Sequence, residues 1–386
     1  MFTQGSNMKI ETLVYENNNW STQNSDFQEG NKNDANIVFV FGTTDAIKEK
    51  QRFKEIQELY PNAKIVGSST SGNIVAAEVC SFDLTATAIY FEKSSVEISY
   101  KTFNENDDVE ELSKELIEKL PQENLKHIFV ISDGLLINGS QLVRGINKVT
   151  KNTTVTGGMA GDGARFEQTY VIANDVAKQS TIVAIGFYGD DIHIGTGCFA
   201  GWSEFGAQRT ITKSKANVLY EIDGKPALDL YKKYLGELAN ELPNSGLRFP
   251  LSIKENENSP EIIRTLLAID EEEGSITYAG DVPEGFSARL MKADIDTLID
   301  GAGKAASAIE AKNENRALGL VVSCVGRKIV MDYLIDDELE EVQEILGDNV
   351  KLSGFYSYGE IAPFEEDIVN CQLHNQTMTL TVIYES

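Results

Sequence analysis

Long apolar runs are missing from this chain of 386 residues. None approaches the ~20 consecutive apolar residues a membrane-spanning helix needs. The polar opening Met1–Asn7 also lacks the apolar centre of a secretory signal, so the expected compartment is the cytoplasm. Cysteine is scarce. The four, Cys80, Cys198, Cys324 and Cys371, lie far apart and form no C-x-x-C pair, which argues against a structural zinc site and for reduced, buried thiols. Histidine is limited to His127, His193 and His374. Of only eight prolines, three fall between residues 241 and 261 and mark an irregular connection there. Positive charge is in deficit: 34 Lys and Arg face 60 Asp and Glu, for a net charge of −26. Such a surface repels phosphate backbones and anionic lipid, so nucleic acid and membranes are excluded as expected partners.

What is present is a folded composition, 41% hydrophobic and 24% charged, on a chain too long for one ordinary core. The 31 glycines carry the most information. Gly67-Ser-Ser-Thr-Ser-Gly72-Asn-Ile and Gly354-Phe-Tyr-Ser-Tyr-Gly359-Glu-Ile share the pattern G-x-x-x-x-G-x-I. Each follows an apolar run, a helical segment and a second apolar run. A looser copy ends at Gly157-Gly158-Met-Ala-Gly161-Asp162-Gly163. Internal repetition of this kind predicts a duplicated βαβ-loop module followed by antiparallel strands.

The periodicity predicts strands at 37–41, 63–66, 126–132, 317–324 and 350–353, and helices at 45–60, 107–120, 139–150, 226–240, 293–311 and 336–346. Residues 82–91 and 96–103 read as an antiparallel hairpin, and further strands are expected at 168–174, 180–188, 191–199, 366–373 and 376–384. Ile10–Tyr15 reads as an edge strand in a polar N-terminal segment, 1–34, that is otherwise loose. The expected fold is α/β (mixed α+β), with mixed sheets covered by helices and two domains, 35–225 and 226–386.

Unusual polar residues cluster at strand ends near the C-terminus: Ser323-Cys324-Val-Gly326-Arg327, Gly354–Glu360, and His374-Asn375-Gln-Thr377. Loops at strand ends converge on one crevice in α/β sheets. These segments together resemble the C-terminal FIST sensory domain. G-S-S-T-S-G, G-G-M-A-G-D and E-I-D-G-K-P-A-L upstream resemble the N-terminal FIST domain and its junction, so the resemblance covers the chain from about residue 35 to its end. The resemblance implies a small-ligand sensor of bacterial signal transduction, with amino acids as a ligand class and, for some members, haem-based nitric-oxide sensing. The expected partners are a small-molecule ligand and a separately encoded signalling protein such as a kinase or cyclase, and the expected output is a contact rather than a reaction.

The candidate ligand-binding residues follow. Arg327 suits a carboxylate and Glu360 an ammonium; together they would hold the two ends of an amino acid, the alternatives being an ion pair and a backbone cap. Tyr356, Tyr358 and Gly359 supply an apolar wall with close backbone approach. Ser69, Thr70 and Ser71 offer hydroxyls, and Gly158 and Asp162 complete the middle loop, where Asp162 can instead tie the loop to itself. Cys324, His374 and Asn375 can line the same crevice, and in chain order they also suit a thiol nucleophile with its base and orienting amide. A haem reading draws its axial ligand from the three histidines. No cofactor or metal is otherwise expected. All these readings share one spatial expectation: the turns at 69–71 and 356–358 line a common hollow with Arg327.

Overall fold

A computed structural model describes residues 8–28, 32–80, 82–309, 316–364 and 367–386. Residues 1–7 and 29–31 of the polar N-terminal segment, the last two positions of the expected helix 293–311, and position 366 lie outside the described residues.

The chain opens with β1 (Lys9–Glu16) and β2 (Asn19–Ser25). A first repeat follows: β3 (Ile37–Gly42), α1 (Thr44–Ile47), α2 (Lys50–Leu59), β4 (Lys64–Ser69), β5 (Asn73–Val75), β6 (Glu78–Cys80), β7 (Leu84–Tyr90) and β8 (Ser95–Thr102). The second is α3 (Val109–Glu118), β9 (Leu125–Ser132), α4 (Gly139–Asn147), β10 (Thr154–Met159), β11 (Val171–Ala173), β12 (Thr181–Tyr188) and β13 (Ile192–Phe199). An inserted β unit comes next. It comprises β14 (Ser203–Glu204), β15 (Arg209–Lys215), β16 (Val218–Ile222), β17 (Lys225–Pro226), α5 (Ala227–Leu235), β18 (Leu251–Lys254), β19 (Ile262–Arg264), β20 (Leu266–Asp270), β21 (Ser275–Tyr278) and β22 (Ser287–Lys292). The third repeat is α6 (Ile295–Ser307), β23 (Ala317–Cys324), α7 (Val325–Met331), α8 (Ile335–Leu346), β24 (Val350–Ser357), β25 (Gly359–Phe364), β26 (Asp367–His374) and β27 (Met378–Glu385).

Each repeat centres one six-stranded mixed sheet on a parallel pair: β3/β4, β9/β10 and β23/β24. The sheet orders are β11-β4-β3-β7-β1-β2, β26-β25-β10-β9-β12-β8 and β13-β27-β23-β24-β5-β6. The flanking strands are exchanged between repeats. β5 and β6 leave the first repeat for the third sheet, β11 leaves the second for the first sheet, and β25 and β26 leave the third for the second sheet. The expected hairpin at 82–103 is therefore absent: β7 pairs with β1 and β3, whereas β8 pairs with β12 in the second sheet. The polar turn between them is a crossing between sheets. β1 is no edge strand either, since it lies between β7 and β2.

Strand alternation explains the layers. Ile37, Phe39 and Phe41 join a central core with Phe129, Ile131, Leu318, Leu320 and Val322 from the other two sheets. Val38 and Val40, facing the opposite way, pack beneath α2. Ile128 and Val130 pack beneath α3 and α4, and Ala317 and Val321 beneath α6 and α8. Phe39 meets Phe129 edge-on at 5.9 Å, and Phe41 stacks on Phe355 at 4.7 Å, so aromatic contacts join the three sheets at the centre.

The glycine pattern belongs to this architecture. Gly67, Gly157 and Gly354 stand opposite Val40, Val130 and Val321, and a Cβ on them would lie 1.8, 2.0 and 1.9 Å from those residues' carbonyl oxygens. On their other side they pair with Ile172, Ile361 and Ile74 of the exchanged strands. The looser middle copy is thus a full repeat, lengthened by a loop at 160–170.

Candidate functional site

The repeats' second strands converge at their carboxyl ends, as expected, and the turns at 69–71 and 356–358 are knit together there by backbone hydrogen bonds. Ser71 N donates to Tyr356 O and Tyr356 N to Gly72 O, both at 2.8 Å, while Gly161 N donates to Ser69 O and Tyr358 N to Met159 O. Ser69 Oγ accepts from Tyr170 N, Thr70 Oγ1 donates to Asn73, and Ser71 Oγ donates to Gly163 O. Gly158 sits against Val322 and Phe355, and Gly359 against Met159. Asp162 accepts from the amides of Phe166, Glu167 and Gln168 and from Tyr358 Oη. Burial opposes ionisation of Asp162, but those donors outweigh it and hold the carboxyl below its usual range. These residues assemble the loops.

Arg327 is fully buried beside Glu338, whose Oε2 accepts from Nε and Nη2, and its remaining bonds go to the carbonyls of Ala200 and Leu298. Tyr356 Oη and Ser323 Oγ donate to the other oxygen of Glu338. The expected shared hollow is therefore corrected on both counts: the turns meet but are packed, and Arg327 is held in an internal ion pair. Glu360 is buried too, accepting from Ser357 Oγ and from the amide and hydroxyl of Thr377, and burial pushes its carboxyl up to about 7.

Two cavities receive the remaining candidates. His374 faces one of about 280 Å³, beside Trp202, Pro363 and Thr377, and its Nε2 is bonded to Ala362 O. Burial lowers its pKa to about 4. Asn375 is buried and donates to His374 O. Cys324 and Tyr358 face a different cavity, and no hydrogen bond joins Cys324 to His374. The other histidines suit iron poorly: His127 has both ring nitrogens bonded to Thr154 and Thr156, and His193 is exposed and stacked on Tyr384. Among the described residues no cluster suited to a metal ion occurs, and no helix is long and apolar enough to cross a membrane.

The second cavity, about 340 Å³, lies where the strand ends of two repeats meet the inserted β unit. Met159, Cys324 and Tyr358 come from the ends of β10, β23 and β24, and Leu247, Thr265 and Tyr278 from the insertion. Its third side is the loop 134–139. Asp133, at the end of β9, accepts from the amides of Leu135 and Leu136 with one oxygen and from Ser180 N with the other. That folds the loop back and presents its apolar side chains. Asn138 then caps α4, accepting from Gln141 N, and donates to Asp281 of the insertion, whose own amide donates to Ser140 Oγ. Three large exposed apolar residues gather at this cavity: Leu136 (55% exposed), Leu267 (42%) and Phe166 (41%), the last stacked on Tyr358 at 4.5 Å. Thr265 Oγ1 and Tyr278 Oη are buried without a hydrogen-bond partner among the described residues.

The sequence reading missed Thr265, Tyr278 and the 134–139 loop. Gly134-Leu-Leu-Ile-Asn138 carried a usable signal, three consecutive apolar residues between a strand end and a helix cap. The insertion carried none, because Thr265 and Tyr278 stand among ordinary β-forming residues with no motif around them.

Residues 36–225 match the FIST N domain and residues 227–363 the FIST C domain. An uncharacterized protein of Methanocaldococcus jannaschii is 22% identical over 393 residues, spanning 90% of this chain and 73% of that protein. Among solved structures, a cyanuric acid hydrolase from A. caulinodans aligns with a TM-score of 0.35 and 7% identity over 92% of this chain and 91% of its own. A chorismatase aligns with a TM-score of 0.35 and 8% identity over 99% and 100%. With both matched regions adjoining and together spanning most of its length, this chain belongs to the FIST family, whose domains are sensory domains of signal-transduction proteins.

Proposed function

We propose that this protein is a small-molecule sensor whose ligand occupies the 340 Å³ cavity between the repeats and the inserted β unit. The observation that carries the reading is the exposed apolar lip of Leu136, Phe166 and Leu267 around a cavity at the carboxyl ends of the strands. Exposed apolar residues that gather around a concavity mark binding surfaces. The wall holds hydroxyls and amides and no charged side chain. An amino acid, the class the family resemblance suggests, therefore binds with its apolar side chain inward and its charged end toward the mouth. Occupancy shifts the inserted unit against α4 through Asp281 and changes a surface read by a separately encoded signalling protein such as a kinase or cyclase. The acidic surface, with a net charge of −26, favours a protein partner over nucleic acid or membrane, and a cytoplasmic setting fits such a partner.

Thermal unfolding in the presence of amino acids and small carboxylates tests the reading, because a ligand that binds only the native state raises Tm. Thr265→Val supplies the control. Its hydroxyl has no partner among the described residues, so the free variant is as stable as the wild type or more so. Its affinity for the ligand found falls about tenfold, the loss of one buried hydrogen bond. Absence of a shift with every compound, or unaltered binding by Thr265→Val, removes the proposal.

A further inference from the structure

A second cleft lies across the same seam. Adjacent residues of an extended chain face opposite ways, and the seam follows that rule. Thr265 and Gly280 line the apolar cavity, whereas Arg264 and Asp281 line a cleft of about 570 Å³. α4 forms one wall of this cleft, and residues 253–264 with Phe364 and Gln372 form the others. Its lining is mixed: Ser140, Asn147, Ser259 and Gln372 add polar groups beside apolar residues such as Val143, Ile262 and Phe286.

Arg264 is only 4% exposed. Its Nε donates to Asp281 O at 2.9 Å, and its Nη1 to Leu373 O at 2.9 Å and Ile263 O at 3.3 Å. Nη2 has no bond among the described residues, and no carboxylate there comes within 4.0 Å of the guanidinium. Two other arginines differ. Arg327, fully buried, is neutralised by Glu338, and Arg144 at the rim of the cleft is shared between Glu110 and Asp281. Two acids face the cleft. Asp281 turns its carboxylate to Arg144 and Asn138, and Glu255 stands exposed at the edge without an ion pair among the described residues. The Asp281 carboxylate attracts the Arg264 guanidinium through space without bonding it, and burial outweighs that attraction. A buried cation so weakly compensated is costly to keep, and a planar guanidinium matches a carboxylate or phosphate through parallel N–H bonds.

We propose that this cleft binds the oxyanion, carboxylate or phosphate, of a small polar molecule, with Arg264 as its principal contact. The cleft is separate from the apolar cavity across the shared seam, and it places charged-ligand recognition in the insertion rather than at Arg327.

Calorimetric titration of the full chain at low ionic strength, where screening is weakest, tests this with inorganic phosphate and with succinate. Saturable binding of at least one is expected. Phosphate alone indicates a phosphate-bearing ligand, and succinate alone a carboxylate. Arg264→Lys keeps the charge but loses the planar fork, and weakens binding at least tenfold, its fold being checked by circular dichroism. Glu255→Gln removes a repelling carboxylate from the exposed edge and tightens binding several-fold. Absence of saturable binding of both anions by the wild type, or equal affinity in Arg264→Lys, overturns the proposal. Should Arg264→Lys fail to fold, an unchanged affinity in Glu255→Gln overturns it.

Discussion

Glu360 was legible in the sequence as an unusual group but not in its role. A carboxylate three residues after Ser357 and next to a glycine suits a ligand contact, yet the packing around β25 seals it from water. Its folded-state value of about 7 exceeds the ordinary 4.5 because burial penalises the charged form. Between those values the folded protein keeps a proton that the unfolded chain has released. Stability contributed by Glu360 is therefore complete below pH 4.5, declines as pH rises through the window, and is lost above about 7. In Glu360→Gln this component disappears. The change in unfolding free energy between pH 4.5 and 7.5 then differs from the wild type by roughly 3 kcal/mol in denaturant titrations. Identical pH profiles for the two proteins would contradict the assignment. Cys324 teaches the same lesson: burial pushes its thiol well above the ordinary range, so its place at a strand end does not make it a nucleophile.

At the scale of elements, most helices and strands were readable from period and punctuation, and their partners were not. Pro61 and Pro121 do follow helical segments, and the alternating apolar residues of β3, β9 and β23 do sort between the central core and the helix layer. Whether two consecutive β segments pair with each other depends on contacts far along the chain. The four-residue turn between β7 and β8 carries no mark that distinguishes a hairpin from a passage between sheets. α4 shows how one element serves both fold and site. Its cap, Asn138, satisfies Gln141 N and also holds Asp281 of the insertion at 3.2 Å. Asn138→Ala should cost about 1 kcal/mol as a lost cap, and should also loosen the seam between the two clefts. Hydrogen exchange would register the second effect as faster exchange at Asp281 N, which donates to Ser140 Oγ, with no change in the central strands. Uniform acceleration across the molecule would instead indicate that only global stability had changed.

Seen whole, the protein does not divide where its two family domains meet. The boundary falls between residues 225 and 227, yet the second and third sheets contain strands from both sides. A fragment covering residues 8–225 retains every strand of the first sheet but strips β13 of β27, and the β5–β6 pair of β24, in the third. It is expected to unfold without a cooperative transition, and co-expression with residues 226–386 should restore one, as calorimetry of the co-purified pair would show. A sharp transition from the fragment alone would mean that strand exchange contributes little to cohesion. The glycine pattern announced the repeats, but their exchange became visible only in the pairing of Ile74, Ile172 and Ile361 with the glycines of neighbouring repeats. That exchange also bears on biosynthesis. β27 lies between β13 and β23, and Glu385 accepts from the amides of Glu92 and Lys93, nearly 300 positions earlier. A nascent chain emerging from the ribosome must hold its earlier strands unfinished until β27 has been made, and throughout that delay their waiting edges are open to mispairing.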